Sequence, residues 1–191
     1  MSTTGIRTDE VTRDARVVRT DTKLEVVVMD VFVSNAGISK IGPVADLDVD
    51  GWSAMIDVNL RGALYGIAAA LPVFRRQRGG HFVTTVSTAG LKIVPTQAVY
   101  AAAKNAVRTV LEGLRQESTD GVVRTTSVSP GVVDTELADS IDNPQVRQQI
   151  RRNMASFAIP PEVVARAIAF AIEQPSDVEI GDITIRPTVQ G

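Results

Sequence analysis

One tyrosine and one lysine stand four residues apart in the segment YAAAK, Tyr100 to Lys104. Residues four apart share one face of a helix, so the lysine amine can lie beside the phenol hydroxyl. A free tyrosine has a pKa near ~10, and a nearby ammonium favours the phenolate and lowers that pKa. Ser87 lies thirteen residues earlier at a predicted strand end, where its hydroxyl can hold a substrate oxygen. These three groups together predict proton transfer at a carbinol.

The composition excludes several other chemistries. The 191 residues contain no cysteine and one histidine, so disulfides, thiolate nucleophiles and thiolate metal ligands are excluded. His81 has no second ligand nearby, and we interpret it as a satisfied or exposed histidine and expect no metal site. The net charge of -2 gives no electrostatic reason to expect nucleic acid or an anionic membrane as a partner.

The expected setting is one soluble domain over residues 1–191, with 44% hydrophobic and 22% charged residues. The first thirty residues are polar and lack the apolar core of a secretory signal. No later stretch reaches ~18 uninterrupted apolar residues. We therefore expect a cytoplasmic protein with no membrane partner.

Strand and helix patterns alternate along the chain. The predicted strands are 24–34, 79–87 with its glycine turn, 122–129 and 179–187, and the predicted helices are 50–78, 98–119 and 161–173. This alternation predicts an α/β fold with a Rossmann-like, doubly wound parallel sheet. The apolar run 24–34 is typical of a central parallel strand, and Asp48 or Asp50 is expected to cap the first helix.

Candidate functional groups follow the predicted strands. Asn35 to Gly37, Ser87, and Pro130 to Thr135 each come directly after the end of a strand. Because ligands of open α/β sheets bind at the carboxyl ends of the strands, we expect these segments to converge on one crevice.

The sequence at these positions resembles the short-chain dehydrogenase/reductase (SDR) family, which is marked by Tyr-x-x-x-Lys preceded by serine at this spacing. The segments SNAG, DVNLRG, VSTAG and SPGVVDTEL also look like family motifs, and together they cover about residues 26 to 190. Ser34 stands where the family more often has asparagine. The resemblance implies an oxidoreductase that interconverts a secondary alcohol and a ketone or aldehyde by hydride transfer with NAD(P)(H).

The resemblance also implies roles for individual residues. Tyr100 would be the general acid/base, and Ser87 would orient the substrate oxygen. Lys104 would lower the pKa of Tyr100 and hydrogen-bond the nicotinamide ribose. Asn59, at an irregularity in the first long helix, would anchor the water of a proton relay. The cofactor would contact Asn35, Ala36, Gly37, Tyr100, Lys104, Pro130, Gly131, Val133 and Thr135.

Two further properties are implied by the family. Residues 136–160 are polar and would form a mobile substrate-binding loop. The two long helices carry alanine-rich stripes, and the family often dimerises through them, so a homodimer or homotetramer is expected.

The sequence departs from the family before residue 24. A βαβ unit takes ~30 or more residues, yet residues 1–23 form an atypical segment with a lone Gly5 and no glycine-rich phosphate turn. Without the strands of that half, the run at 26–34 becomes a sheet edge. The residue that selects NAD or NADP also lies in that half, so the preference cannot be read.

Several interpretations therefore stay open. The chain is a shortened member with a native or mis-called start, works with another chain that supplies the missing half, or is a catalytically silent interaction module that binds no dinucleotide. A nucleotide-sugar epimerase shares Tyr-x-x-x-Lys but needs a larger C-terminal lobe than the 91 residues that follow Tyr100.

Overall fold

The computed structural model of the chain describes residues 15–19 and 25–190, so Gly5 and most of the atypical segment 1–23 lie outside the described residues. The strands are β1 (Ala15–Arg19), β2 (Glu25–Met29), β3 (Val31–Ser34), β4 (Gly80–Thr85), β5 (Val123–Pro130) and β6 (Asp182–Ile185). The helices are α1 (Val49–Met55), α2 (Gly62–Gln77), α3 (Ala98–Gln116), α4 (Pro144–Phe157) and α5 (Pro161–Ile172).

Four strands form a parallel sheet in the order β3-β4-β5-β6. The two central strands are rich in β-branched and aromatic residues, which favour extended backbone, and nearly all of their side chains are buried. Helices lie between the successive strands of this sheet along the chain, so the predicted α/β fold with a parallel sheet is confirmed.

The apolar run 24–34 forms two strands rather than one. It breaks at Asp30, whose carbonyl accepts a 3.0 Å hydrogen bond from the His81 amide. Before the break, β2 pairs antiparallel with β1 in a separate two-stranded sheet. After it, β3 has β4 as its one neighbour among the described strands, and Val33 is 43% exposed. The prediction of a central strand is wrong, and the prediction of a sheet edge over 26–34 is confirmed for Val31–Ser34 alone.

The core is divided by the sheet. On one face, α2 and α3 pack on β4 and β5 through a cluster that includes Phe74 and Phe82, whose rings meet edge to face at 4.8 Å. On the other face, α5 packs through Val164 on Val83 and Val128. This alternation of side chains between two covered faces is what a parallel sheet requires.

The first long helix begins at Val49 and is capped by Asp48, whose carboxylate accepts a 2.9 Å bond from the Gly51 amide. Asp48 rather than Asp50 is therefore the cap. Between α1 and α2 the backbone widens into a π-helical turn over Ile56–Arg61, with Asn59 as its buried residue. The predicted irregularity at Asn59 is confirmed, and such single turns often occur at functional sites.

The segment 136–160 is not a loop throughout. It contains a 3-10 turn over Glu136–Ser140 and the helix α4. Asn143 caps α4 by accepting bonds from the next two free amides, and Pro144 occupies the first turn. The helix buries no residue completely, so its sequence is polar, and this polarity explains why the composition suggested a loop.

The helical stretch Val49–Gln77 is, by length and composition alone, apolar enough to cross a membrane. Core helices of soluble α/β domains meet the same criterion. Here Ala63, Ala70 and Phe74 are buried against the sheet, which accounts for the apolar character of that face.

Candidate active site

Tyr100 and Lys104 lie on the inner face of α3. Both are buried, with 7% and 5% of their surface exposed, and the same face continues through Val107 and Leu111 into the core. The Lys104 Nζ atom lies 6.0 Å from the centre of the Tyr100 ring. The shared face predicted from the spacing is therefore present.

Lys104 is held at the carboxyl end of β4. Its Nζ donates a 2.9 Å hydrogen bond to the Thr85 carbonyl oxygen. Burial removes water from the ammonium and lowers the pKa of Lys104 to about 8. The side chain is therefore mostly charged at pH 7 and loses that charge just above pH 8.

The pKa of Tyr100 moves in the direction opposite to the expectation. Burial raises this pKa above its ordinary value, and the hydrogen bond with Ser87 lowers it by a smaller amount. Burial is the larger cause of this shift, and Lys104 is not among its causes. The expectation that the pKa of Tyr100 lies below its ordinary value is wrong, and the phenol is protonated at pH 7.

Ser87 follows β4 and is half-buried beside the phenol. Its Oγ accepts a 3.1 Å bond from the Ala89 amide and so caps the short turn Thr88–Gly90. The Ser87 side chain also lies close enough to Tyr100 to lower the pKa of the phenol. The structure therefore brings together the two hydroxyls that lie thirteen residues apart in the sequence.

Asn59 fixes the turn that follows β3. Its carboxamide forms two 2.9 Å bonds with the backbone of Ile38, accepting from the amide and donating to the carbonyl. A Cβ atom added at Gly37 would lie 3.2 Å from Asn59 Oδ1 and 3.4 Å from Lys104 Nζ. Gly37 thus permits the turn to pass close to both side chains.

Asn35 and Ala36 lie at the exposed start of this turn. The Thr85 hydroxyl donates a 2.8 Å bond to Asn35 Oδ1, while the carbonyl of the same threonine accepts from Lys104. The loops after β3 and β4 are thereby joined, which is the convergence expected at the carboxyl ends of parallel strands.

The segment Pro130 to Thr135 continues the chain beyond the carboxyl end of β5. Pro130 is the buried last residue of β5, and Gly131 donates its amide to Ile185 O at 2.7 Å. Val133 forms an isolated parallel bridge with Ile159 and packs with the core under α5. Thr135 is exposed and caps the following 3-10 turn.

A third cluster covers Tyr100 from the side of the polar segment. Ala138 and Ile141 are buried with it, and Met154 of α4 packs on the same group. The region expected to be a substrate loop is therefore part of the wall around the phenol. Its role in substrate binding stays a prediction.

Sequence reasoning missed three groups in this region. The Thr85 carbonyl and the Ile38 backbone were missed because a backbone partner leaves no signal in the residue type. Gln190 was missed because no recognised motif includes it, although it accepts a bond from the Val132 amide at 2.9 Å. His81 is 1% exposed and is buried at the opposite end of β4, so it does not belong to the site.

The described residues fit one end of a dinucleotide better than the other. A charged, buried lysine beside a phenol, with a close glycine turn, suits a ribose and its attached ring. The phosphate end normally needs a glycine-rich turn between a strand and a helix. Within residues 25–190, the loops that follow strands hold isolated glycines and no such turn.

The family model for short chain dehydrogenases matches residues 6–146 of the chain. An uncharacterized oxidoreductase of Staphylococcus saprophyticus is 42% identical over 164 residues, covering 85% of this chain and 66% of that protein. The chain therefore belongs to the short-chain dehydrogenase family. It spans 66% of the length of this curated relative.

Solved structures give the same result for the fold. The closed form of serine dehydrogenase complexed with NADP+ is 30% identical, with a TM-score of 0.79, and the match covers 85% of this chain and 66% of that one. An alcohol dehydrogenase from the archaeon Thermococcus sibiricus, complexed with 5-hydroxy-NADP, is 26% identical with a TM-score of 0.72, covering 86% and 65%. The fold is thus the Rossmann fold of these dehydrogenases.

Proposed function

We propose that the chain is an NAD(P)(H)-dependent oxidoreductase that interconverts a secondary alcohol and a ketone or aldehyde on a small molecule. The observation that carries this proposal is the pairing of two hydroxyls, Ser87 and Tyr100, beside the Lys104 ammonium at the carboxyl end of β4. Membership of the family and the cofactors bound to the similar structures support it.

In this proposal the residues of the chain manage the proton. Ser87 donates a hydrogen bond to the substrate oxygen, and the protonated Tyr100 delivers its proton to that oxygen during carbonyl reduction. The raised pKa of Tyr100 favours this direction at pH 7, because the phenol begins as the acid. A bound nicotinamide supplies the hydride in reduction and accepts it in oxidation.

The remaining residues position the cofactor and return the proton. Lys104 holds the ribose hydroxyls through its ammonium, and the segments Asn35 to Gly37 and Pro130 to Thr135 line the two sides of the crevice. Asn59 anchors the water that carries a proton back to Tyr100. Its two bonds to Ile38 support this role by fixing the adjoining turn.

We also propose that the protein is cytoplasmic and forms a homodimer or homotetramer through the long helices. Support comes from the exposed apolar residues Val58 of the π-helical turn and Leu64 of α2, and from the exposed Ala102 of α3. Light scattering after size exclusion tests this, with Leu64→Glu expected to shift the mass to that of one chain. An unchanged mass would place the contact elsewhere.

The variant Tyr100→Phe tests the proposed reaction. It removes one hydroxyl, and turnover of a panel of ketones with NADPH and NADH is expected to fall by about 10³-fold or more, within the usual range for a general acid and its positioning effects. The matched control is Tyr65→Phe, because Tyr65 is 69% exposed on α2. If Tyr100→Phe turns over as fast as Tyr65→Phe and wild type, Tyr100 is not the general acid.

The alternative is a silent interaction module that binds no dinucleotide. The absence of a glycine-rich phosphate turn from the 191-residue sequence favours this reading. Calorimetric titration separates the two functions: micromolar binding of NADH or NADPH rejects the silent module. No heat at millimolar cofactor rejects the oxidoreductase.

A further inference from the structure

The last residue that the structure describes, Gln190, lies at the carboxyl end of the sheet, as the proposed site does. It follows β6, and its backbone amide closes a turn by donating to the Pro187 carbonyl at 3.1 Å. This turn directs the Gln190 side chain toward the loops that follow β4 and β5.

The carboxamide of Gln190 contacts both of those loops. Its Oε1 accepts a 2.9 Å bond from the Val132 amide, and its Nε2 makes a longer contact of 3.4 Å with the Thr88 hydroxyl. Thr88 directly follows Ser87, and Val132 directly follows Gly131. One side chain therefore spans the loop that carries the serine and the loop assigned to the nicotinamide.

Gly131 is shaped by the same contact. A Cβ atom there would lie 2.1 Å from Gln190 Oε1 and 2.8 Å from Arg186 Cβ, which is closer than atoms can approach. The absence of a side chain at this position thus makes room for Gln190. A bend assigned to cofactor binding by family resemblance therefore also has a packing partner within the chain.

We propose that Gln190 is a positioning residue for the cofactor: its carboxamide fixes the Gly131–Val132 backbone relative to Thr88 and so sets the width of the crevice. This inference rests on the proposed function, because the crevice is where the nicotinamide end of the cofactor would lie. Gln190 acts through the two loops and transfers no proton.

The physical reason is the set of hydrogen bonds that holds the loop after β5. Beyond β5 the chain is tied to β6 by Gly131 and to Ile159 by the Val132 carbonyl and the Asp134 amide, but the Val132 amide is bonded to Gln190 alone among the described residues. Loss of that acceptor leaves the part-buried amide without a protein partner and removes the tie between this loop and Thr88, while the bonds to Ile159 still hold the loop's other side. A partly buried donor that loses its partner carries a desolvation cost in addition to the lost hydrogen bond.

The test compares two variants of nearly equal shape by titrating each protein with NADPH and NADH. Gln190→Met removes the carbonyl acceptor and is expected to weaken cofactor binding about tenfold. Gln190→Glu keeps an oxygen for the Val132 amide, and the Thr88 hydroxyl can donate to the other one, so its Kd is expected to stay within about threefold of wild type. Gln116→Met, at the exposed end of α3, is the matched control and is expected to change nothing.

Turnover gives the second readout. The KM for the cofactor is expected to rise about tenfold in Gln190→Met, with kcat within about threefold, since Ser87 and Tyr100 are unchanged. If Gln190→Met binds cofactor as tightly as wild type, or if Gln190→Glu is equally weak, the positioning role is wrong. A wild-type chain that binds neither dinucleotide overturns the proposed function itself, and this inference with it.

Discussion

Titratable side chains are buried at both ends of strand β4, but only those at the carboxyl end form a candidate site. At its carboxyl end, Lys104 is bonded to the Thr85 carbonyl, and burial lowers the pKa of the lysine to about 8. At its amino end, His81 bonds through Nε2 to the Thr126 hydroxyl at 2.8 Å. Burial, helped by the charge of Arg124, lowers the pKa of His81 to about 4.

The difference lies in what surrounds each group. Lys104 stands beside a phenol, and the half-buried Ser87 connects this group to the surface. His81 Nδ1 has no hydrogen-bond partner among the described residues, and these contain no cluster of three or more metal-ligating side chains. A shifted pKa therefore reports burial, and only the convergence of several groups at an accessible place indicates chemistry.

After Tyr100→Phe, the largest effect that sharpens this contrast is expected from Ser87→Ala. Loss of a hydroxyl that orients the substrate oxygen should reduce kcat by about 10²–10³-fold. It should also raise the pKa of Tyr100 further, because the Ser87 hydrogen bond is what lowers it. The pH profile of oxidation should therefore move to higher pH.

Ser156→Ala is the matched control for this prediction. Its exposed hydroxyl donates to the Arg152 carbonyl within α4. Steady-state kinetics of both variants over a range of pH provides the measurement. If both behave as wild type, the carboxyl end of β4 is no more reactive than its amino end.

At the amino end the expected effect is on stability. The pKa of His81 is about 4 in the folded chain and 6.5 in its ordinary state, so the unfolded chain binds more protons between these values. The stabilising effect is complete above pH 6.5 and is lost as the pH falls to 4, by up to about 3 kcal/mol. Urea unfolding at pH 7, 5.5 and 4 measures it.

His81→Gln provides the control for that slope. A glutamine amide can donate to Thr126 as Nε2 does, but it does not titrate. The variant should unfold with a flatter pH dependence than wild type over the same window. Identical slopes would show that His81 is not the group that titrates, and unchanged turnover at pH 7 is expected in either case.

A smaller effect is expected from the titration of Lys104. Because its pKa is about 8, the fraction of charged lysine falls about tenfold between pH 7 and pH 9. If the ammonium holds the cofactor, the Kd for NADPH should weaken by about the same factor. Lys104→Arg keeps its charge over this range and should show a flat profile, and a flat profile in wild type would contradict the role.

The smallest effect is expected on the surface of α3. The guanidinium of Arg115 and the amide of Gln116 hydrogen-bond the Glu112 carboxylate and lower the pKa of Glu112 to about 2. Both charged side chains are solvated, so Glu112→Gln should leave turnover unchanged and the unfolding midpoint nearly so. A large loss of activity would show that pKa shifts without burial also matter here.

Several parts of the fold follow from local sequence. The helix α3 begins at the predicted residue Ala98, and Tyr100 and Lys104 share its inner face because the spacing of four fixes their angle around the axis. The strand β5 matches the β-branched run ahead of Pro130 within two residues at either end. These features depend on neighbours in the chain, so pattern alone predicts them.

Other features depend on distant contacts. The break at Asp30 follows from pairing with two different partners, β1 before it and β4 after it. The helix α4 was not predicted because its sequence is polar. The sequence is polar because only part of the helix surface packs, against the wall around Tyr100. Neither strand pairing nor the partial packing of a helix can be predicted from the residue types in a short stretch of sequence.

The sequence by itself determined the class of sheet and which side chains carry the candidate chemistry, because both depend on periodicity and on the few reactive residue types present. Tertiary structure alone decided the electrostatics. It buried Tyr100 and raised the pKa that the sequence suggested would fall, and it bonded Lys104 to Thr85 across nineteen residues. Desolvation depends on everything packed around a group, and that information exists only once the chain is folded.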